Sequence, residues 1–387
     1  MKKIIFGAPF IGDEEINEVV DTLKSGWIGT GPKCFRFEKN FAKYVGAKYA
    51  LAVNSCTAAL HLGLLVSNIG PGDEVITTPL TFAATVNVIK HVGARPILAD
   101  IELKTLNINP NLIEAKITPK TKAIIPVHFG GLPCDMDKIK KIAKKYNLII
   151  IEDAAHAVGA KYKGKKIGSF GNLTCFSFYA NKNITTGEGG MITTNDEKIA
   201  EKIKILRLHG LSTDAWKRYE SKKLILSEII YPGYKYNMTD IQASLGLHQL
   251  NKINKFLKTR EAYAKIYDNV FSKLDYLRLQ YRPSDIQKNR HALHLYVLIL
   301  DLSKFKFARN KIIEKLNTQG IGAAIHYKAI HLHPFYKKDL SYHIGDFPVS
   351  EKVSKATISL PLTPKMSGSD AQYVARTTEK VLQSCLK

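Results

Sequence analysis

The chain has 387 residues, a formal net charge of +23, and 45% hydrophobic and 24% charged residues. This is the composition of a soluble globular protein with room for two domains. Cys34, Cys56, Cys134, Cys175 and Cys385 are odd in number and form no C-x-x-C pair, so neither a disulfide framework nor a zinc site is signalled and no metal is expected.

The opening MKKIIFGAPF has only a brief apolar run before the acidic GDEEINEVV, which fits neither a signal peptide nor a membrane span. The expectation is a cytoplasmic protein with no membrane partner. The charge makes nucleic acid the first partner to weigh. Yet the lysines of DMDKIKKIAKKYN and DEKIAEKIKILRLHG fill the polar positions of amphipathic helices between Ile and Leu. That is mostly a solvated-face pattern, so no nucleic acid is expected, although a non-catalytic basic nucleic-acid-binding protein stays the best reading of a different class; the positive field also favours an anionic small substrate.

In chain order, YALAVNS (49–55), DEVITTPL (73–80), RPILADI (95–101), KAIIPVHFG (122–130) and NLIIIED (147–153) read as buried strands. Between them, TAALHLGLLVSN, TFAATVNVIKHVG, NPNLIEAKI and DMDKIKKIAKKYN read as helices. In the last, Met136, Ile139, Ile142, Ala143 and Tyr146 are expected on one face. The alternation predicts an α/β domain with a largely parallel sheet covered on both sides. From about residue 238 the pattern becomes one long helix, a spine between two domains, followed by the strand HALHLYVLIL, a helix around FARNKIIEKLNTQG, the strand IGAAIHYKAI and the helix SDAQYVARTTEKVL. These predict a large domain over 1–250, with an N-terminal arm, and a smaller α+β domain over 251–387.

Ligands of open α/β sheets gather at the carboxyl ends of the strands. After the first strand comes N-S-C-T-A-A-L, where Ser55, Cys56 and Thr57 open a helix. A helix start offers free N–H groups to a phosphate, although Ser and Thr there serve equally as plain caps. Asp153 ends a strand that is apolar from Leu148 to Ile151, and there it either caps the next turn or pairs with a cation. Phe82 follows the second strand. Ser177 and Lys182 stand in SFYANKNITTGEGGM; taken alone, Lys182 would be a surface charge. Together, a phosphate cradle, a buried acid, a flat aromatic and an isolated lysine meet the needs of pyridoxal phosphate: a Schiff-base lysine, an acid for the pyridine nitrogen, a ring to stack and a phosphate site.

The chain resembles the DegT/DnrJ/EryC1/StrS sugar-nucleotide aminotransferases, of the aspartate-aminotransferase fold (fold type I). The motifs that carry the resemblance are SGWIGTGPK (25–33), GDEVITTPLTFAATVN (72–87), TKAIIPVHFGG (121–131), IEDAAHAVGAKYKGKKIGSFG (151–171), FSFYANKNITTGEGGM (176–191), GYKYNMTDIQASLGLHQL (233–250) and TISLPLTPKM (357–366). The last four are most similar to members that aminate the 4-keto position of UDP-sugars, including those forming UDP-4-amino-4-deoxy-L-arabinose.

The resemblance implies that Lys182 is the Schiff-base lysine, Asp153 the partner of the pyridine nitrogen, and His156 a neighbour of the cofactor ring, with Phe82 near its face. It puts Cys56, Thr57 and Ser177 at the phosphate. Many relatives have Gly or Ala at Cys56, so the backbone N–H is the expected contribution there. Where many relatives have G-Y-N-Y-R-M, this chain has G-Y-K-Y-N-M, and the resemblance gives Asn237 to the cofactor phosphate of a neighbouring subunit. A homodimer with composite sites follows. Thr30, in the Gly26 to Pro32 loop, and His326 and Tyr327 are expected to line the sugar-nucleotide entrance, although His326 alone would be an ordinary strand histidine. The implied reaction moves an amino group from L-glutamate, leaving 2-oxoglutarate, to a keto-sugar nucleotide for polysaccharide or glycan synthesis. Dehydratase relatives have histidine at the lysine position, a non-catalytic relative would be expected to have lost the acid or the lysine, and a Rossmann oxidoreductase would want G-x-G-x-x-G after its first strand.

Overall fold

The computed structural model describes residues 3–212 and 227–387. All five expected strands of the first half form, each shorter than its apolar run: β1 (Tyr49–Val53), β2 (Glu74–Thr77), β3 (Arg95–Leu98), β4 (Thr121–Ile124) and β5 (Ile149–Asp153). A two-residue hairpin, β6 (Lys161–Tyr162) and β7 (Lys165–Lys166), stands apart from them. Two further strands, β8 (Leu173–Ser177) and β9 (Gly190–Thr194), complete a seven-stranded sheet ordered β1-β9-β8-β5-β4-β2-β3. Only β9 runs antiparallel to its neighbours. The loop from β8 into β9 therefore turns back at the carboxyl end of the parallel strands, and Lys182 lies on that loop.

Both faces of the sheet are covered, which is why its strands read as nearly continuous apolar runs. On one face Leu51, Val53, Ile151 and Ile192 pack with Leu60, Leu62 and Leu64 of the helix Cys56–Val66. On the other, Ala50, Ala52 and Phe176 meet Phe37 and Phe41 of the helix Pro32–Val45. The spine is the helix Asp240–Phe271. It begins with a reciprocal cap, in which the Thr239 hydroxyl accepts the Gln242 N–H and the Gln242 side chain accepts the Thr239 N–H. Leu247, Leu250 and Leu257 belong to the core of the large sheet, whereas Ala264, Tyr267 and Phe271 belong to a second core. The division expected after residue 250 thus falls inside a continuous helix, which changes cores between Leu257 and Ala264. The second core is built on the antiparallel sheet β10 (Leu277–Leu279), β11 (Tyr296–Leu300) and β12 (Thr357–Leu360), with the helices Arg309–Thr318 and Gly368–Ser384.

Two local expectations are corrected. NPNLIEAKI forms two short 3-10 turns, Pro110–Leu112 and Glu114–Lys116, in place of a helix. Ile113 is buried but Leu112 is exposed, so the segment lacks the apolar stripe that stabilises short helices. Tyr146, on the same face of the helix Met136–Tyr146 as Met136, Ile139, Ile142 and Ala143, is 38% exposed at the last turn, just before Asn147 closes the helix in the left-handed region at φ 53°. IGAAIHYKAI makes only isolated bridges, Ile321 to Ile4 and Ala324 to Ser359. Beyond Ala324 the chain leaves the edge of the three-stranded sheet and is tied instead to Ser354 and Pro79, so that His326 and Tyr327 reach the strand ends of the seven-stranded sheet. No described helix is long and apolar enough to cross a membrane.

Candidate active site

The residues that follow β1, β2, β5 and β8 converge on one cavity of about 480 Å³. Cys56, Thr57, Phe82, Asp153, His156, Ser177, Lys182, His326 and Tyr327, nine of the residues singled out in the sequence, line it.

Lys182 is held on a loop fastened at both ends. Phe178 N–H donates to Gly189 O at 2.9 Å and Thr186 N–H to Phe178 O at 2.9 Å, while Asn183 anchors the loop to Ala292 O at 2.8 Å. The Lys182 ammonium makes no hydrogen bond or ion pair with any described residue. Burial pulls its pKa down to about 8, against the opposing pull of Cys56 and Asp153. A lysine so placed is uncharged in part at neutral pH and can act as nucleophile or base.

Asp153 ends β5 and is buried. Its Oδ2 accepts the Thr85 hydroxyl at 2.7 Å, and its Oδ1 accepts the Ala155 N–H at 3.1 Å. Burial raises its pKa, and these two donors with the charge on Lys182 only partly offset the rise. A buried carboxylate supplied mainly by neutral donors is suited to a cation that enters the cavity.

His156 is also buried, which holds its pKa well below the usual histidine range, with Lys182 adding to the effect. Its Nδ1 accepts the Gly130 N–H at 3.2 Å. The neutral ring therefore carries its hydrogen on Nε2, assigned from that bond, and donates it to the Tyr327 hydroxyl 3.2 Å away. Tyr327 also packs against Phe82 with centroids 6.0 Å apart. Phe82 is 62% exposed, an open aromatic face at the cavity mouth. His326 is fixed from behind, its Nδ1 2.8 Å from Ser359 Oγ, and burial lowers its pKa to about 3.

The anion cradle is the start of the helix Cys56–Val66. Ser55 caps it by accepting the Ala58 N–H at 3.1 Å, so the earlier N–H groups of Cys56 and Thr57 have no intrahelical partner. The hydroxyls of Thr57 and Ser177 line the same cavity. Gly190 permits this arrangement: a Cβ there would lie 2.5 Å from the carbonyl carbon of Ser55 and 2.7 Å from Cys56 N. The amine, acid, aromatic face and anion cradle together fit pyridoxal phosphate.

Thr30 and Asn237 do not line this cavity. They are bonded to each other, Asn237 Nδ2 donating to Thr30 Oγ1 at 2.6 Å, and Thr30 in turn donates to Met238 O. The Gly26 to Pro32 loop is fixed by Asp240, whose carboxylate accepts the N–H groups of Gly31, Lys33 and Cys34. Sequence reasoning missed Thr85, Thr81 and His294, which also line the cavity. His294 lies 4.4 Å from His156 between ring centroids. Thr85 carries a readable signal, one helical turn beyond Phe82 in T-F-A-A-T. His294, from the segment just before β11, carries none.

A family profile described as the DegT/DnrJ/EryC1/StrS aminotransferase family matches residues 9–379. The spore coat polysaccharide biosynthesis protein SpsC of Bacillus subtilis is 50% identical over 98% of this chain and 97% of its own. Among solved structures, the sugar aminotransferase Spr1654 of Streptococcus pneumoniae in its PMP-form superposes with a TM-score of 0.91 at 37% identity, covering 98% of this chain and 99% of that one. It is also solved in a PLP-form. PseC of Helicobacter pylori, an aminotransferase in the biosynthesis of pseudaminic acid, gives a TM-score of 0.90 at 31% identity over 99% of this chain and 100% of its own. The chain belongs to the DegT/DnrJ/EryC1/StrS family: it is an aminotransferase of fold type I, and its cofactor is pyridoxal phosphate.

Proposed function

We propose that this member of the family transfers the amino group of L-glutamate to a keto-sugar nucleotide, releasing 2-oxoglutarate and an amino-sugar nucleotide for polysaccharide or glycan synthesis. The observation that carries the reading is the pair Lys182 and Asp153 on one cavity, an amine with a pKa of about 8 opposite an under-supplied acid. SpsC and PseC, by their names, serve polysaccharide and pseudaminic acid synthesis, which supports the sugar class. The similarity of G-Y-K-Y-N-M to the aminoarabinose-forming enzymes favours C4 of a UDP-linked sugar.

When bound, pyridoxal phosphate supplies the electron sink that makes the donor's Cα–H acidic. Lys182 Nζ would hold the cofactor covalently and, once the donor's amine has displaced it, the freed amine would accept the proton from that Cα and pass it on to the cofactor. Asp153 holds a positive N–H against its carboxylate. The Cys56 and Thr57 N–H groups, with the hydroxyls of Thr57 and Ser177, bind the phosphate. His326 and Tyr327 orient the sugar, and Phe82 covers the ring. In the cytoplasmic homodimer we infer, Asn237 and Thr30 complete the site of the neighbouring subunit, whose large and small domains meet along the helix Asp240–Phe271.

The test is the absorbance spectrum of the purified protein with cofactor. A visible band should bleach on adding L-glutamate and return with a UDP-linked 4-keto sugar faster than with its 3-keto or dTDP-linked counterparts. Borohydride should fix the cofactor on Lys182, read by mass spectrometry. Failure to label Lys182 refutes the reading; return of the band only with a 3-keto or dTDP-linked sugar corrects the substrate.

A further inference from the structure

Behind Asp153 lies a feature that the reaction described above does not use. Thr81 and Thr85 are both buried on the cavity wall, with their hydroxyl oxygens 2.7 Å apart. Thr85 has one hydroxyl hydrogen, and it points to Asp153 Oδ2 at 2.7 Å. Thr81 must therefore be the donor in the bond to Thr85. The order is fixed: Thr81 O–H to Thr85 O, and Thr85 O–H to the carboxylate. On the other side, the Ala155 N–H holds Oδ1.

We propose that Thr85, backed by Thr81, is a positioning residue that clamps the Asp153 carboxylate in one orientation toward the cavity. The terminal torsion of a carboxylate is soft, so packing alone does not set its plane. Two donors on opposite oxygens do set it. Thr81 polarises Thr85 and strengthens the bond to the charged oxygen. The same bond offsets part of the burial that raises the Asp153 pKa. The inference rests on the cofactor reading above only for what Asp153 faces; the clamp itself is a property of this chain.

The test compares Thr85→Val, which keeps the shape and removes the hydroxyl, with Thr85→Ser, which keeps the hydroxyl. Two readouts use full-length protein. The first is the carboxyl titration of Asp153 in cofactor-free protein by isotope-edited infrared spectroscopy, with Asp153→Asn as the assignment control. The second is the dissociation constant for pyridoxal phosphate. Thr85→Val should move the Asp153 midpoint upward by about one pH unit and weaken cofactor binding about tenfold, the scale of one hydrogen bond to a charged group. Thr85→Ser should stay near the parent in both. An unmoved titration in folded Thr85→Val, or an equal shift in Thr85→Ser, would overturn the proposal. Should Thr85→Val not fold, Thr81→Val decides, with a smaller upward shift expected and no shift refuting the relay. A parent protein that bound no pyridoxal phosphate would refute the cofactor reading, while the titration would still judge the clamp.

Discussion

Glu152 and Asp153 are neighbours on β5, both carboxylic acids and both buried, yet they are treated in opposite ways. Successive strand residues face opposite sides of a sheet, so Asp153 meets the cavity and Glu152 the far face. There Glu152 is supplied with donors: the His128 imidazole at 2.9 Å on Oε2, and the Asn172 amide at 2.9 Å and the Thr174 hydroxyl at 3.1 Å on Oε1. His128 Nδ1 accepts the Cys134 N–H at 3.1 Å, so its hydrogen lies on Nε2 and points to Glu152. Burial pushes the Glu152 pKa up, but these bonds overcome it and the net shift is downward. Asp153 has only two direct donors, and burial wins. A buried acid whose partners are all internal is part of the scaffold; one left short of partners is waiting for a ligand.

The sharpest break in the comparison is Asp153→Asn against Glu152→Gln. Asp153→Asn should lower transamination about 10²–10³-fold, the usual effect of losing one preorganised charge. Because the folded pKa of Asp153 is raised above its unfolded value, its ionised form costs stability once the pH exceeds that folded pKa. The variant should therefore melt at or above the parent temperature when free of cofactor at pH 7. Glu152→Gln should do the reverse, losing about 3 kcal/mol of stability while turnover per folded molecule is kept. Urea unfolding and single-turnover kinetics on both variants decide the matter. An active Asp153→Asn would remove the distinction.

The acid limb follows from the same contrast. With its folded pKa lowered below 4.5, Glu152 contributes stability that is fully present above that value and lost as pH falls through the folded pKa. The parent should lose stability steeply below about pH 4.5, and Glu152→Gln less so. Lys182 sharpens the cavity side. With a pKa of about 8, its neutral fraction should rise about fivefold from pH 7 to pH 8. The rate at which pyridoxal phosphate attaches to the cofactor-free protein should follow, whereas a rise of about tenfold over the same interval would show an amine with the ordinary lysine pKa, one that is not desolvated.

The same two residues show what the sequence could convey. Two acids follow the four apolar residues Leu148 to Ile151, and the position of Asp153 at the strand end left open whether it caps the next turn or pairs with a cation; its role came with the other cofactor-binding residue types and the family resemblance. Cys56 and Thr57 were legible because they open the helix that follows a visible apolar run, whereas Ser177 and Lys182 gained their roles only from the full set of cofactor-binding residue types and from family resemblance. Glu152 was not singled out because its partners arrive from His128, Asn172 and Thr174, which only the sheet order brings together. β8 and β9 were missed because LTCFS and GMITT mix polar residues into short strands, though both are buried throughout. IGAAIHYKAI has a strand's composition, but composition does not say that the chain must leave the sheet edge to carry His326 and Tyr327 to the cavity. Thr30 and Asn237 are legible only through family resemblance; within this chain they bond to each other.

The smallest expected effect comes from thinning the supply around Glu152 without abolishing it. Thr174→Val removes the hydroxyl that reaches Oε1 at 3.1 Å, but the Asn172 amide still donates to that same oxygen at 2.9 Å and His128 still holds Oε2. No donor is stranded, since the lost group was itself the donor, and the β-branched shape suits a buried strand. The loss should be about 1 kcal/mol, the net worth of one ordinary hydrogen bond, with turnover unchanged because Thr174 does not line the cavity. Denaturant midpoints of Thr174→Val and Glu152→Gln, measured side by side, test whether the donors act separately. Equal losses would mean that the three bonds form one cooperative unit. In that case Glu152 would owe its low pKa to the whole cluster, and the count of partners that separates it from Asp153 would have to give way to how those partners are connected.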